Sequence, residues 1–199
     1  MVTGPARRVL GIDPGTALLG YSVVASRDGQ LQLVTVGTLT TPADLPLHRR
    51  LQTLYRGLCQ IITTHRPTEV AVETLFFNQN ARSALAVGQA RGVALLAAAE
   101  ADLPVFEYTP LAVKHAVLNY GRGTKEQVQE MVRILLNLPS PPEPDDAADA
   151  VAVAICHHHH ASAATIFGQV IGDDVSPRRR VAASAAGTRH QRKQQVSQL

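Results

Sequence analysis

The order of the apolar runs constrains this chain more than any single motif. Val9–Ile12 and Gly20–Val24 read as strands joined by the turn Pro14-Gly15-Thr16-Ala17, and a second turn at Asp28-Gly29 leads into Leu31–Leu39. Leu47, Leu51, Leu54, Leu58 and Ile61 then recur at alternating spacings of four and three, which predicts a helix. It stops near Arg66-Pro67, because the residue before a proline avoids the α region. Thr68–Glu73 ("TEVAVE") is a short buried strand, Asn80–Ala101 is helical, and "PVFEYTP" returns to strand. A helix from Thr109-Pro110 to about Leu118 precedes the loop Gly121–Gly123. Thr124–Leu138 is a helix opened by Thr124 and Gln127, a capping-box pair.

After the breaker "LPSPPEP" a last helix runs from Asp145 to about His160. "DAVAVAIC" also alternates like a strand, but two acids and small residues precede it without a break, as at a helix N-terminus. The order βββαβαβ followed by helices predicts an α/β fold, a central mixed β-sheet flanked by α-helices.

With 199 residues and 45% hydrophobic content, one core is expected. The 16 acidic residues all lie at or before Asp174, and 13 of the 19 Lys and Arg share that span, which leaves residues 1–174 at −3 and residues 175–199 at +6. The expected division is thus a folded domain over 1–174 and a basic tail over 175–199, too poor in apolar residues to fold alone. The tail reads equally as a solubilising segment or as a phosphate-attracting arm. No apolar run approaches the length needed to cross a bilayer, and none of signal-peptide type follows the N-terminal arginines, so a cytoplasmic protein is expected. Cys59 and Cys156 are too few for a disulfide framework and are read as buried structural thiols.

The chemistry lies in the acids. Asp13 and Glu73 each end an apolar strand, and Asp145, Asp146 and Asp149 stand at the start of the last helix. Asp13 before Pro14-Gly15 is also a good turn residue, and Asp145 and Asp146 are good helix caps. Asp149 and Glu73 resist such accounts: one lies a full turn inside an Ala/Val helix, the other ends a buried strand. Asp146 and Asp149 share one helical face. If that helix packs over the sheet, four carboxylates converge. Their mutual repulsion raises their pKa values unless divalent cations neutralise them. Two such ions can clamp a phosphodiester undergoing in-line displacement.

The stretches "GIDPGT", "VETLFFNQN", "LAVGQARGVALLAAA", "LPVFEYTP", "TKEQVQEMVRILLNLP" and "DDAADAVAVAICH" together resemble the RuvC family of Holliday junction resolvases, over about residues 8–160. The resemblance implies an RNase H-like fold, a homodimer, and Mg²⁺-dependent paired nicking of a four-way DNA junction during recombination and repair. It implies two Mg²⁺ per subunit, with Mn²⁺ as a substitute, and Asp13, Glu73, Asp146 and Asp149 as catalytic and metal-binding acids. Asp145 is left out of that set. A branch-migration complex of RuvA and RuvB type is the implied partner.

The same resemblance puts an aromatic wedge on Phe76, with Phe77 beside it, where a ring can hold bases unstacked. It puts DNA-contacting or catalytic cations on Lys114 and Lys125, and charge alone adds Arg122 in the "NYGRG" loop. Arg82 and Arg91 are less specific, and Arg91 is a candidate for an internal ion pair. Ala81–Ala99 is apolar nearly all round, with Gly88 and Gly92 one turn apart, as suits equally a helix fully buried within one domain or one buried by the sheet and by a second subunit; two-fold action on a four-way junction favours the second. His157–His160 cannot form one metal site, because consecutive helical residues point in different directions; the run is read as a polar helix end. Two other classes fit parts of the sequence. "GIDPGT" alone approximates actin-like ATPases and sugar kinases, and a non-catalytic junction-binding protein would use the acids only as caps.

Overall fold

The computed structural model describes residues 7–27, 29–74 and 81–170. Three strands, β1 (Arg7–Asp13), β2 (Leu18–Arg27) and β3 (Gln30–Thr40), form the expected antiparallel meander. The helix α1 (Leu47–His65) then carries the chain across to β4 (Glu69–Glu73), which pairs parallel to β1. After α2 (Ala81–Glu100), β5 (Val105–Tyr108) pairs parallel to β4. The sheet order is β3-β2-β1-β4-β5. Three helices complete the chain: α3 (Pro110–Leu118), α4 (Lys125–Leu135) and α5 (Asp145–Val170).

The sheet has a core on each face, and strand alternation sorts residues between them. Leu10, Ile12, Val70 and Val72 pack with Leu54, Leu58 and the buried alanines of α2. Val9, Val24 and Ala71 pack against α3, α4 and α5. Central strands buried on both faces read as unbroken apolar runs, which is why "VLGI" and "VAV" show no polar alternation. By the same alternation Asp13 lies on the α5 side of β1, and Glu69, Ala71 and Glu73 lie on the α5 side of β4.

Helix α5 rests directly on the β1–β2 backbone. A Cβ on Gly11 would stand 2.2 Å from the Ala150 carbonyl oxygen, and one on Gly20 would stand 1.9 Å from that of Asp146. Only glycine permits that approach. Between these points the Ser22 hydroxyl donates to the Ala150 carbonyl at 3.0 Å.

Several boundaries differ from expectation. The α4 capping box forms as predicted, but the helix ends at Leu135 rather than Leu138. Asn137 takes a left-handed conformation (φ 50°), and the Leu138 N–H turns back to the Arg133 carbonyl. Helix α5 continues ten residues past His160, so the histidine run is not a helix end. On α1, Leu54, Leu58 and Ile61 are buried, while Leu47 at the start of the stripe is exposed. Cys156 is buried as expected; Cys59 is only half-buried. Among the described residues no helix is long and apolar enough to cross a membrane. Phe76, Phe77 and residues 175–199 lie outside the described residues.

Candidate active site

Asp13 is held where β1 gives way to a braced turn. The Thr41 N–H donates to the Ala17 carbonyl, the Thr41 hydroxyl donates to the Thr16 carbonyl, and Arg50 Nε donates to the Thr41 hydroxyl at 2.8 Å. Glu73 is fixed by its neighbour: the Thr74 N–H and hydroxyl both donate to the Tyr108 carbonyl, at 2.8 and 3.2 Å. Since β1 and β4 are adjacent and parallel, the two acids come to the same end of the sheet. They meet there, with the two carboxyls in hydrogen-bonding reach of one another.

The first turns of α5 lie over this pair. Burial, then the charges of Asp149 and Asp146, push the Asp13 carboxyl up to about 7. Burial, then the charges of Asp13 and Asp149, push Glu73 up to about 8. Lys125 partly offsets both shifts, and its Nζ lies 3.1 Å from Asp149 Oδ2. That contact holds the ammonium above its ordinary pKa. Asp145 turns to α4 instead, accepting from Gln129 Nε2 at 2.8 Å.

Two residues proposed as DNA contacts sit at this rim. Lys114 Nζ donates to the Gly123 carbonyl at 3.0 Å, which ties α3 to the glycine loop, and Arg122 in that loop is exposed. Arg91 is engaged elsewhere, paired with Glu107 of β5.

The donor set suits a hard divalent cation. Four carboxylates supply oxygen ligands, and a cation among them would relieve the repulsion that raises Asp13 and Glu73. As placed, no three described His, Cys, Asp or Glu side chains close on one point. Asp13 and Glu73 face one another, and Asp149 faces Lys125.

A second cluster, absent from the sequence reading, lies further along α5. His157 Nδ1 and the Tyr108 hydroxyl are 2.7 Å apart, and His157 Nε2 lies 2.5 Å from Glu69 Oε2. Arg7 Nε flanks the same carboxylate oxygen at 3.5 Å. His157 and His158 are each only 2% exposed, and His158 Nε2 donates to the Val24 carbonyl. The signal available in the sequence was Glu69 itself, four residues before Glu73 and therefore on the same face of the strand.

The mixed sheet, its helical layers and the acids at the ends of its two adjacent parallel strands are those of an RNase H-like nuclease. The model of the family "Crossover junction endodeoxyribonuclease RuvC" matches residues 9–157. A protein of that description from Chloroflexus aurantiacus is 57% identical over 161 residues, covering 81% of this chain and 98% of the relative. One from Rubrobacter xylanophilus is 56% identical over 163 residues, covering 81% and 91%. The solved Thermus thermophilus RuvC in complex with Holliday junction substrate is 37% identical, covers 80% of this chain and 97% of its own, and superposes with a TM-score of 0.76. This chain belongs to the RuvC family of crossover junction endodeoxyribonucleases. Nucleases of this family are metal-dependent, and the ATPase and sugar-kinase alternative is not favoured.

Proposed function

We propose that the chain resolves four-way DNA junctions by paired symmetric nicks, using Asp13, Glu73, Asp146 and Asp149 to hold two Mg²⁺ ions. The observation that carries this reading is the meeting of Asp13 and Glu73 at one end of two adjacent parallel strands, under the start of α5, where burial and then neighbouring carboxylate charge raise both carboxyls. Bound divalent ions would supply an activated water and charge stabilisation for in-line phosphodiester hydrolysis, and Mn²⁺ has the same preference for oxygen ligands. The protein's own part is positional. Strand ends fix Asp13 and Glu73, and the glycine-backed approach of α5 sets how closely Asp146 and Asp149 come down onto the sheet. Lys125 supplies the cation nearest the acids, Lys114 steadies the Gly121–Gly123 loop, and Arg122 offers that loop's charge to phosphate. Phe76, with Phe77, is the proposed wedge.

Two-fold action on a junction with two equivalent strands calls for a homodimer. Supporting this, α2 shows an outward apolar stripe in which Leu85 is 65% and Leu96 52% exposed, with open space around Gly92. The same reading extends to a cytoplasmic site of action and to a branch-migration complex of RuvA and RuvB type as partner. The test is nicking of a mobile four-way junction with and without Mg²⁺. The expected result is symmetric, Mg²⁺-dependent nicking, with Asp13→Asn binding the junction but not cutting it. Equal cutting of plain duplex and junction would overturn the structural selectivity.

A further inference from the structure

We propose that His157 and Tyr108 are positioning residues for the carboxylate cluster. With Glu69, they set how far α5 slides along β4, and hence where Asp146 and Asp149 stand relative to Asp13 and Glu73. This rests on the four-carboxylate reading above.

Most of the interface under α5 is poorly suited to fixing an axial position. Ala147, Ala148, Ala150, Val151, Ala152, Val153 and Ala154 are fully buried there. Small apolar side chains over glycine backbone attract without direction, so a short slide costs them little. Register then falls to directional contacts, which lose strength within fractions of an ångström and a few tens of degrees. Ser22 supplies one, to the Ala150 carbonyl on the β2 side, and the histidine run supplies the others. His158 bonds the Val24 carbonyl on β2, His159 bonds the Ala116 carbonyl on α3, and His157 bonds β4 and β5.

His157 is the member matched to the acids by distance. From Glu73 back to Glu69 is four strand residues, about 13 Å. From Asp149 forward to His157 is eight helical residues, about 12 Å. Helix and strand run in opposite directions, so Asp149 pairs in space with the Glu73 end while His157 reaches the Glu69 end. The interface is pinned at both ends of one strand face.

Tyr108 closes the loop. Its carbonyl accepts from the Thr74 N–H and hydroxyl, beside Glu73, and its own strand position is in register with Glu73. Burial holds its phenol protonated, well above the usual tyrosine range. With the His157 tautomer that carries its proton on Nε2, the Tyr108 hydroxyl donates to Nδ1 and Nε2 donates to Glu69. Phe106 packs on the imidazole with ring centroids 4.3 Å apart, which leaves the ring little freedom to turn. One tyrosine thus touches the carrier of Glu73 through its backbone and the carrier of Asp146 and Asp149 through its hydroxyl.

The experiment compares full-length parent, Tyr108→Phe, His157→Ala and His157→Gln. Mg²⁺ is titrated twice: against the melting temperature of the DNA-free protein, and against nicking of a four-way junction, with junction affinity measured in parallel. Tyr108→Phe is expected to raise the half-saturating Mg²⁺ roughly tenfold in both titrations, as loss of a group that orients metal ligands does, while junction affinity stays near parental. His157→Ala should do more. His157→Gln, whose amide can accept from Tyr108 and donate to Glu69, should recover part of the loss. Tyr108→Phe with parental Mg²⁺ half-saturation in both titrations, whatever its melting temperature, would overturn the positioning role even if His157→Ala fails to fold. A parent whose melting temperature ignores Mg²⁺ would instead overturn the four-carboxylate reading, and the proposal with it.

Discussion

Glu69 and Glu73 are the same residue type, on the same face of one five-residue strand, under the same helix. Yet their carboxyls shift in opposite directions. Glu69 faces His157 and Arg7, and the hydrogen bond from His157 holds it below the usual carboxylate range. Glu73 faces burial and other acids, and is pushed up to about 8. The difference lies in how deeply each is buried and in what β1 and α5 present along their length: Asp13 and the α5 carboxylates at one end, Arg7 and an imidazole two turns later at the other. One end of the interface is satisfied within the chain, and the other is left with a charge deficit that a cation can fill. The proposed centre of this chain thus pairs one anchored glutamate with one frustrated one.

The largest test of that contrast is Asp13→Asn. It should reduce Mg²⁺-dependent junction nicking by on the order of a thousandfold, comparable to losing a group that stabilises developing charge, while gel-shift affinity for the junction survives. Metal-free stability comes next. Asp13 and Glu73 have folded values raised above 3.8 and 4.5, to about 7 and about 8. Between the unfolded and folded values the folded state binds more protons than the unfolded one, so these two groups make stability fall as pH rises through that window. Without metal, the parent should lose stability from pH 6 to pH 8 relative to Asp13→Asn, by up to a few kcal/mol, and Mg²⁺ should raise the melting temperature more at pH 8 than at pH 6. Calorimetry across that range checks both.

At the other end, Glu69→Gln should cost about 1.5–3 kcal/mol at pH 7, the range for hydrogen bonds to charged groups. The sign with pH is opposite. Glu69 is depressed, so its contribution is present above about pH 4.5 and is lost as pH falls through its folded value, and the gap between parent and variant in urea melts should narrow below pH 4. The smallest effect is that of Lys125→Ala on metal-free stability. Its pair with Asp149 is more than half exposed on the lysine side, and exposed pairs contribute roughly 0.2–1 kcal/mol. A much larger loss would mean that Lys125 acts as the internal counter-ion of the whole cluster.

The sequence made one end of this interface legible and hid the other. Asp13, Glu73, Asp146 and Asp149 stand out because acids at the ends of apolar strands and inside an Ala/Val helix lack a local reason to be there. Glu69 opens its strand next to Thr68 and looks like an ordinary surface residue. Its partner lies 88 residues away, and nothing local announces a pairing across that distance. The histidine run misled for a related reason. Four imidazoles in a row suggest a solvated terminus, but the first two are buried with a partner for each ring, and the helix continues to Val170. Strand order and the α4 capping box were legible because periodicity and caps are short-range signals. The end of α4 was not, since a left-handed Asn137 rather than the apolar pattern stops it.

The two glycines under α5 carry a consequence for how the proposed catalytic centre tolerates change. Gly11 and Gly20 take no part in chemistry, but each acts as a bearing surface machined to zero clearance against a helix backbone. A single methyl at either position acts as a shim, lifting the start of α5 and moving Asp146 and Asp149 off their partners without touching a reactive group. The clearance on which the α5 acids depend is the width of two hydrogen atoms.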